Sequence, residues 1–155
     1  MTTKISTIYD SIRNAMSTLL VGKLEIPNPY SLGDNAIQYL RNGWGVTIGD
    51  GSLSGMQVFC YDNEARIFGV ILTKEVYRLE TDNSALINES KSLMEDIRAI
   101  KNDMLASDQI GTSSTIQRID FVSSTGINFI NAGKFNLIYA GITFSIEYSE
   151  RLLGS

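Results

Sequence analysis

Apolar residues recur at spacings of three and four near the start of the chain: Ile5, Ile8, Tyr9, Ile12, Met16, Leu19 and Leu20. That stripe predicts a helix over residues 3–20 that packs on a sheet, with Lys4, Asp10, Arg13 and Asn14 off the stripe and Gly22 as its stop. A second stripe, Leu86, Leu93, Ile97, Ile100 and Met104, with Ser90 in one position, predicts a helix over 84–105. Thr81, Asp82, Asn83 and Ser84 supply its N-cap candidates, and Glu95 and Asp96 are expected to face away. Strict alternation marks residues 138–148. Ile138, Ala140, Ile142, Phe144, Ile146 and Tyr148 point one way, and Tyr139, Gly141, Thr143, Ser145 and Glu147 the other.

The remaining strands have weaker patterns. Residues 56–61 and 66–79 read as a hairpin around a polar turn at 62–65, with Phe68, Val70, Leu72 and Val76 on one face. Residues 115–122 form the next strand, with Ile116, Ile119, Phe121 and Val122. A bulge or break falls near 123–126, Ile127, Phe129 and Ile130 follow, and a turn is expected at Asn131, Ala132 and Gly133. Residues 23–55 hold both prolines, Pro27 and Pro29, and six of the 13 glycines. They read as a long loop with a short strand at Trp44, Gly45 and Val46, and with residues 49–55 flexible. The expected architecture is α+β, an antiparallel sheet packed against two helices in the order helix, loop, hairpin, helix, hairpin. Residues 1–150 form one domain and 151–155 a frayed tail.

The length of 155 residues suits that single domain. Apolar residues make up 43% and charged residues 19%, enough to build a core and exclude general disorder. Histidine is absent, which removes His-based triads, His metal sites and histidine pH switches. Cys60 stands alone, so one chain can form neither a disulfide nor a thiolate zinc site, and a buried inert thiol is expected. No apolar run reaches the roughly 20 residues of a membrane span. The start of the chain opens an amphipathic pattern rather than a leader, consistent with a soluble protein made in a reducing compartment. Net charge is −4, with no basic patch to read DNA or bind a membrane.

Candidate chemistry is sparse. The glycines at 43–55 lack the Lys-Ser or Lys-Thr and the following helix of a phosphate loop. The carboxylate pairs Glu95/Asp96, Asp62/Glu64 and Glu147/Glu150 read as solvated surface. Asn88-Glu89-Ser90 matches a glycosylation sequon inside a predicted helix and is set aside. No cofactor or metal is expected. Trp44, between two glycines, is either core or an exposed interface anchor, and Tyr30 after Pro29 shares that ambiguity.

Asn28-Pro29-Tyr30 and Gly43-Trp44-Gly45-Val46 follow the first helix, and Phe144-Ser145-Ile146-Glu147-Tyr148-Ser149-Glu150 ends the closing strand. In that order of elements, over residues 3–150, the chain resembles the tail terminator proteins of long-tailed bacteriophages. The resemblance implies a virion structural protein, made in the host bacterial cytoplasm and located in the tail or neck. It implies a hexameric ring that caps the tail tube, stops its polymerisation and meets the head connector. Implied partners are other copies, the tube protein, the head-completion protein and DNA that passes without specific binding; no membrane is involved. On that view the loops at 41–55 and 106–114 reach neighbouring subunits and order on assembly. Deletion of 49–55 should then leave a folded monomer that does not cap. Tyr30, Trp44, Asp50, Ser52, Leu53 and Asp108 are the candidate interface positions. Another head–tail joining part or tube subunit, a small adaptor using its sheet edge, and an enzyme working through carboxylates alone remain open.

Overall fold

A computed structural model describes residues 5–53, 61–76, 83–106, 116–132 and 135–151. Helix α1 (Ile5–Leu19) buries Ile8, Ile12, Ala15 and Met16, as the stripe requires. Gly22, at φ +92°, turns the chain after it, a conformation open to glycine at little cost. A two-residue strand β1 (Leu24–Glu25), a 3-10 turn (Leu32–Asp34) and a one-turn helix α2 (Ile37–Leu40) follow. Then come β2 (Asn42–Leu53), β3 (Tyr61–Glu75), helix α3 (Asn83–Leu105), β4 (Ile116–Ser124), β5 (Asn128–Ala132) and β6 (Phe135–Arg151).

The fold is α+β: a mixed, mostly antiparallel six-stranded sheet packed against α1 and α3. Strand order is β1-β2-β3-β6-β4, with β5 beside the first part of β6. Only β1 is parallel to its neighbour. Strand β6 carries the predicted alternation, and all six inward residues from Ile138 to Tyr148 are buried. Phe68, Val70 and Leu72 of β3 and Trp44 and Val46 of β2 continue that face. Leu93, Ile97, Ile100 and Met104 of α3 close over it together with the α1 stripe. A smaller core lies on the opposite face, where Ile26, Leu40 and Leu137 are gathered by the segment between β1 and β2. Among the described residues, no helix covers the rest of that face. Thr47, Gly69, Thr143 and Ser123 form one row across four strands.

The structure corrects several expectations. The long loop of 23–55 is largely structured, and residues 42–53 form β2, in register with β3 from Asn42↔Lys74 to Leu53↔Glu64. Its glycines mark close approach rather than flexibility. A Cβ at Gly43 would meet the Tyr39 carbonyl and lie 2.9 Å from Ile26 Cγ1; one at Gly45 would lie 2.6 Å from Pro29 Cβ. Removing residues 49–55 would therefore cut away the end of β2, residues 49–53, from its pairing with β3. The polar turn expected at 62–65 is part of β3, paired to β6. The first hairpin is thus β2 and β3, and residues 56–60 lie outside the described residues, as do 107–115. Asn131 and Ala132, expected in a turn, pair with Asn136 and Phe135. The break after β4 falls at 125–127. There Thr125 keeps the ladder, its N–H donating to the Gly141 carbonyl and its Oγ1 accepting from the Gly141 N–H, both at 2.8 Å.

Ion pairs tie α3 to the strands: Lys74–Glu89 at 2.9 Å from β3, and Lys23–Asp96 at 3.5 Å from the turn after α1. Asp96 therefore faces the protein, not solvent as its position beside Glu95 suggests.

Phe144 lies at the centre of this core. Phe144→Ala is expected to destabilise the fold by about 3–5 kcal/mol through lost burial and a residual cavity, while Val122→Ser on the outer strand should change it by less than about 0.5 kcal/mol. Urea titration checks both. Burial pushes the Tyr148 hydroxyl up to about 12. A phenol with its folded pKa raised lends stability that is complete below its unfolded value near 10 and lost as pH rises through the folded value. Wild type should thus lose stability relative to Tyr148→Phe between about pH 10 and 12, measured by urea midpoints across that range.

Candidate functional site

The candidate positions on β2 lie along one margin of the sheet. β1 covers β2 only at Gly43 and Trp44, with the Ile26 N–H donating to the Trp44 carbonyl at 2.7 Å. Beyond that point two tyrosines take over. The Tyr9 hydroxyl donates to the Val46 carbonyl at 3.2 Å, and the Tyr30 hydroxyl accepts from the Ile48 N–H at 2.8 Å. Side-chain hydroxyls thus occupy backbone groups that a foreign strand would otherwise pair with. Tyr30 is 64% exposed while holding this bond, so its ring remains available for contact.

Asp50 and Ser52 follow on the same strand and are exposed. Asp50 lies where the register with β3 shifts between Ile48 and Gly51, a bulge that turns it out of the ladder. Leu53 ends the strand opposite Glu64. The structure thus gathers Tyr30, Asp50, Ser52 and Leu53 on one margin. Trp44 belongs to β2 but is 4% exposed and sits in the main core, so it serves as core and not as an exposed anchor. Asp108 lies outside the described residues, as does Cys60.

The opposite margin was not singled out in the sequence. It is β4, which among the described residues pairs with β6 on one side only. Arg118, Phe121, Val122, Ser123 and Ser124 are exposed along it. Lys101 of α3 sits 4.2 Å from the centroid of the Phe121 ring, a cation–π contact. Beside it is a hollow of about 410 Å³ lined by Met94, Arg98, Lys101, Asn102, Phe121 and Ser124 among others. The adjacent apolar pair Phe121-Val122 was the available signal, because neighbouring residues of a strand cannot both face the core.

A larger cleft of about 570 Å³ opens between α1 and β1, lined by Asp10, Arg13, Lys23, Glu25 and Trp44 among others. Its charges are mutually engaged. The Arg13 guanidinium donates to both oxygens of Glu25, at 2.6 and 2.8 Å, and lies 3.5 Å from Asp10. Lys23 donates to Asn42 Oδ1 at 2.5 Å and pairs with Asp96. Burial holds the Lys23 ammonium below the usual lysine range, with Asp96 opposing that shift. These contacts fix the exit from α1 against the sheet, a structural use of the charges.

The register sets Asp62 opposite Glu150, while Glu95 and Asp96 lie apart from them on α3. Asp96 is tied to Lys23 and Glu64 to Arg66, and Glu95 is exposed. Burial pushes the Asp103 carboxyl above the usual range, and its Oδ2 has no hydrogen-bond partner among the described residues. Among those residues no group of three or more His, Cys, Asp or Glu side chains is placed to hold a metal ion. No described helix is long and apolar enough to cross a membrane. A scan against protein-family models and a search of curated proteins both find no match to this chain.

The tyrosine caps are testable. Tyr30→Phe removes the acceptor of the Ile48 N–H, so exchange of that amide with solvent should speed up, while the global urea midpoint shifts by no more than about 1 kcal/mol of stability. Hydrogen exchange followed by NMR measures the first, and the Val70 amide in the neighbouring strand serves as the unaffected reference.

Proposed function

We propose that this protein is a ring-forming assembly subunit of a phage tail, a terminator that caps the tube and presents a surface to the head connector. The observation that carries this reading is that one sheet ends in two unlike margins. One is the far part of β2, and the other is β4. A contact between unlike surfaces of identical copies runs head to tail, and it closes into a ring when the rotation permits.

Strand direction supports the same reading. β2, β3, β6 and β4 alternate in direction across the sheet. When a copy is repeated margin to margin, β4 of one therefore runs antiparallel to β2 of the next. Both large helices lie on one face, so a ring with the helices outside would turn the bare face inward. The middle of that face carries Thr47, Gly69, Gly141, Thr143 and Ser123, hydroxyls and glycines, and Arg118 at its β4 edge is paired with Asp120. Tight phosphate binding requires clustered cations, so such a lining would let DNA pass. Apart from the buried Asp103, the carboxylates described above are ion-paired or solvated, which favours a structural role over catalysis.

Electron microscopy of particles assembled without this protein tests the proposal. Overlong or irregular tubes unattached to filled heads are expected. Tails of normal length on normal heads would overturn it.

A further inference from the structure

Rows of paired residues set the level of each margin. Ser52, Ala65, Glu147 and Arg118 form one row, and Leu53, Glu64, Tyr148 and Ile116 form the next. The part of β2 beyond the tyrosine-held residues, 49–53, where Arg66 donates to the Gly49 carbonyl at 3.0 Å, thus stands at the same height as residues 116–120 of β4. Lower down, Val46 shares a row with Val70, Ile142 and Ser124. On the β2 side of that row stands α1, with Tyr9 bonded to Val46 and Asp10 next to it. On the β4 side stands α3, with Arg98 and Lys101 beside Ser124 and Ile142.

Asp10 on one margin is opposite in sign to Arg98 and Lys101 on the other, with Arg13 beside Asp10. The Asp10 side chain is 63% exposed, and its ion pair with Arg13 is long at 3.5 Å. Arg98 is exposed and makes no ion pair among the described residues. Lys101 is held over Phe121 rather than by a carboxylate. At the upper level Asp50 is exposed on one margin, and Arg118 on the other, where it pairs with Asp120 at 2.8 Å.

From this geometry we infer that the occupant of the β4 margin is a second copy of this chain. Its residues 51–53 pair antiparallel with residues 116–119, Ser52 level with Arg118 and Gly51 with Ile119 around the irregularity between Ile116 and Arg118, and its Asp10 sits against Arg98 and Lys101. The contact rests on the ring reading above and gives it a specific joint. Pairing stops below residue 51, because β2 is bulged between Ile48 and Gly51, because the Tyr9 and Tyr30 hydroxyls already hold Val46 and Ile48, and because β4 shifts register again between Phe121 and Ser123. There the helices and side chains take over, and Asp10 of α1 meets Arg98 and Lys101 of α3. Ser52 and Arg118 are turned to the same, helix-free face, so their Cβ atoms would lie about 5 Å apart across the joint.

That spacing suits a disulfide. The test uses the full chain with Cys60→Ser, Ser52→Cys and Arg118→Cys, incubated with tail tubes, oxidised and run without reductant. A ladder of covalent oligomers ending in one closed species is expected. The single-cysteine variants should stay monomeric. A dimer from Arg118→Cys alone would instead mean a two-fold β4–β4 contact and would overturn the joint. Monomers only, on tubes whose caps are visible by electron microscopy, would also overturn it while leaving the ring reading intact. Absence of any cap or ring from the wild-type chain would sink both.

Charge reversal supplies a second measurement. Asp10→Lys, or Arg98→Glu with Lys101→Glu, should each lower the capped fraction of tubes roughly tenfold, and the three together should restore it. Equal capping by all variants would remove the α1–α3 contact from the proposal. Circular dichroism confirms that each variant is folded before it is scored.

Discussion

The pairing of β3 with β6 is the constraint from which the rest of the structure takes its position. It runs without a register shift from Tyr61↔Arg151 to Glu75↔Leu137. Phe68 faces Phe144 and Val70 faces Ile142, so one face of the pair is apolar along its middle. A slip by one residue would turn that set toward solvent and bring Gly69, Thr143 and Ser145 under the helices. The bulges are all in the outer pairings, β2 with β3 and β4 with β6. The centre is therefore rigidly specified, and irregularity is confined to the margins, where it decides which backbone groups meet solvent.

The parts of the fold that could be read from the sequence are those with one strong period. The stripes of α1 and α3 and the alternation of β6 each reflect a single buried face, and burial follows them residue by residue. Strand β2 was illegible for a physical reason. Its glycines at 43 and 45 are imposed by Ile26, Tyr39 and Pro29 pressing on the strand from the face opposite α1 and α3. Local composition cannot separate a glycine required by a distant neighbour from one that loosens a loop. The polar run at 62–65 misled in a similar way. Backbone pairing to β6 carries it through the sheet, despite side chains that suit a turn.

The candidate site was legible on one side only. Tyr30, Asp50, Ser52 and Leu53 stood out through their glycine-rich and polar surroundings, and they do share a margin of the sheet. Trp44 was ambiguous because a tryptophan between glycines looks the same in sequence whether the ring faces in or out. The β4 margin carries an ordinary mixture of residues, and its meaning comes from position. Only topology reveals that β4 is last in the sheet and that α3 sets Arg98 and Lys101 beside it. The charges that look most reactive, in the cleft between α1 and β1, are instead engaged with one another.

The two tyrosine hydroxyls on β2 have a consequence for the timing of assembly. By holding Val46 and Ile48 they shorten the strand margin open to another chain to a few residues. So short a margin gives a visiting strand few hydrogen bonds against the entropy lost on association. Free copies at ordinary concentrations would then meet and part. Copies gathered on a common template face one another at a far higher effective concentration, and the same few bonds become sufficient. Masking part of an edge thus sets a concentration threshold, and it separates a chain that polymerises wherever it is made from one that assembles where it is collected.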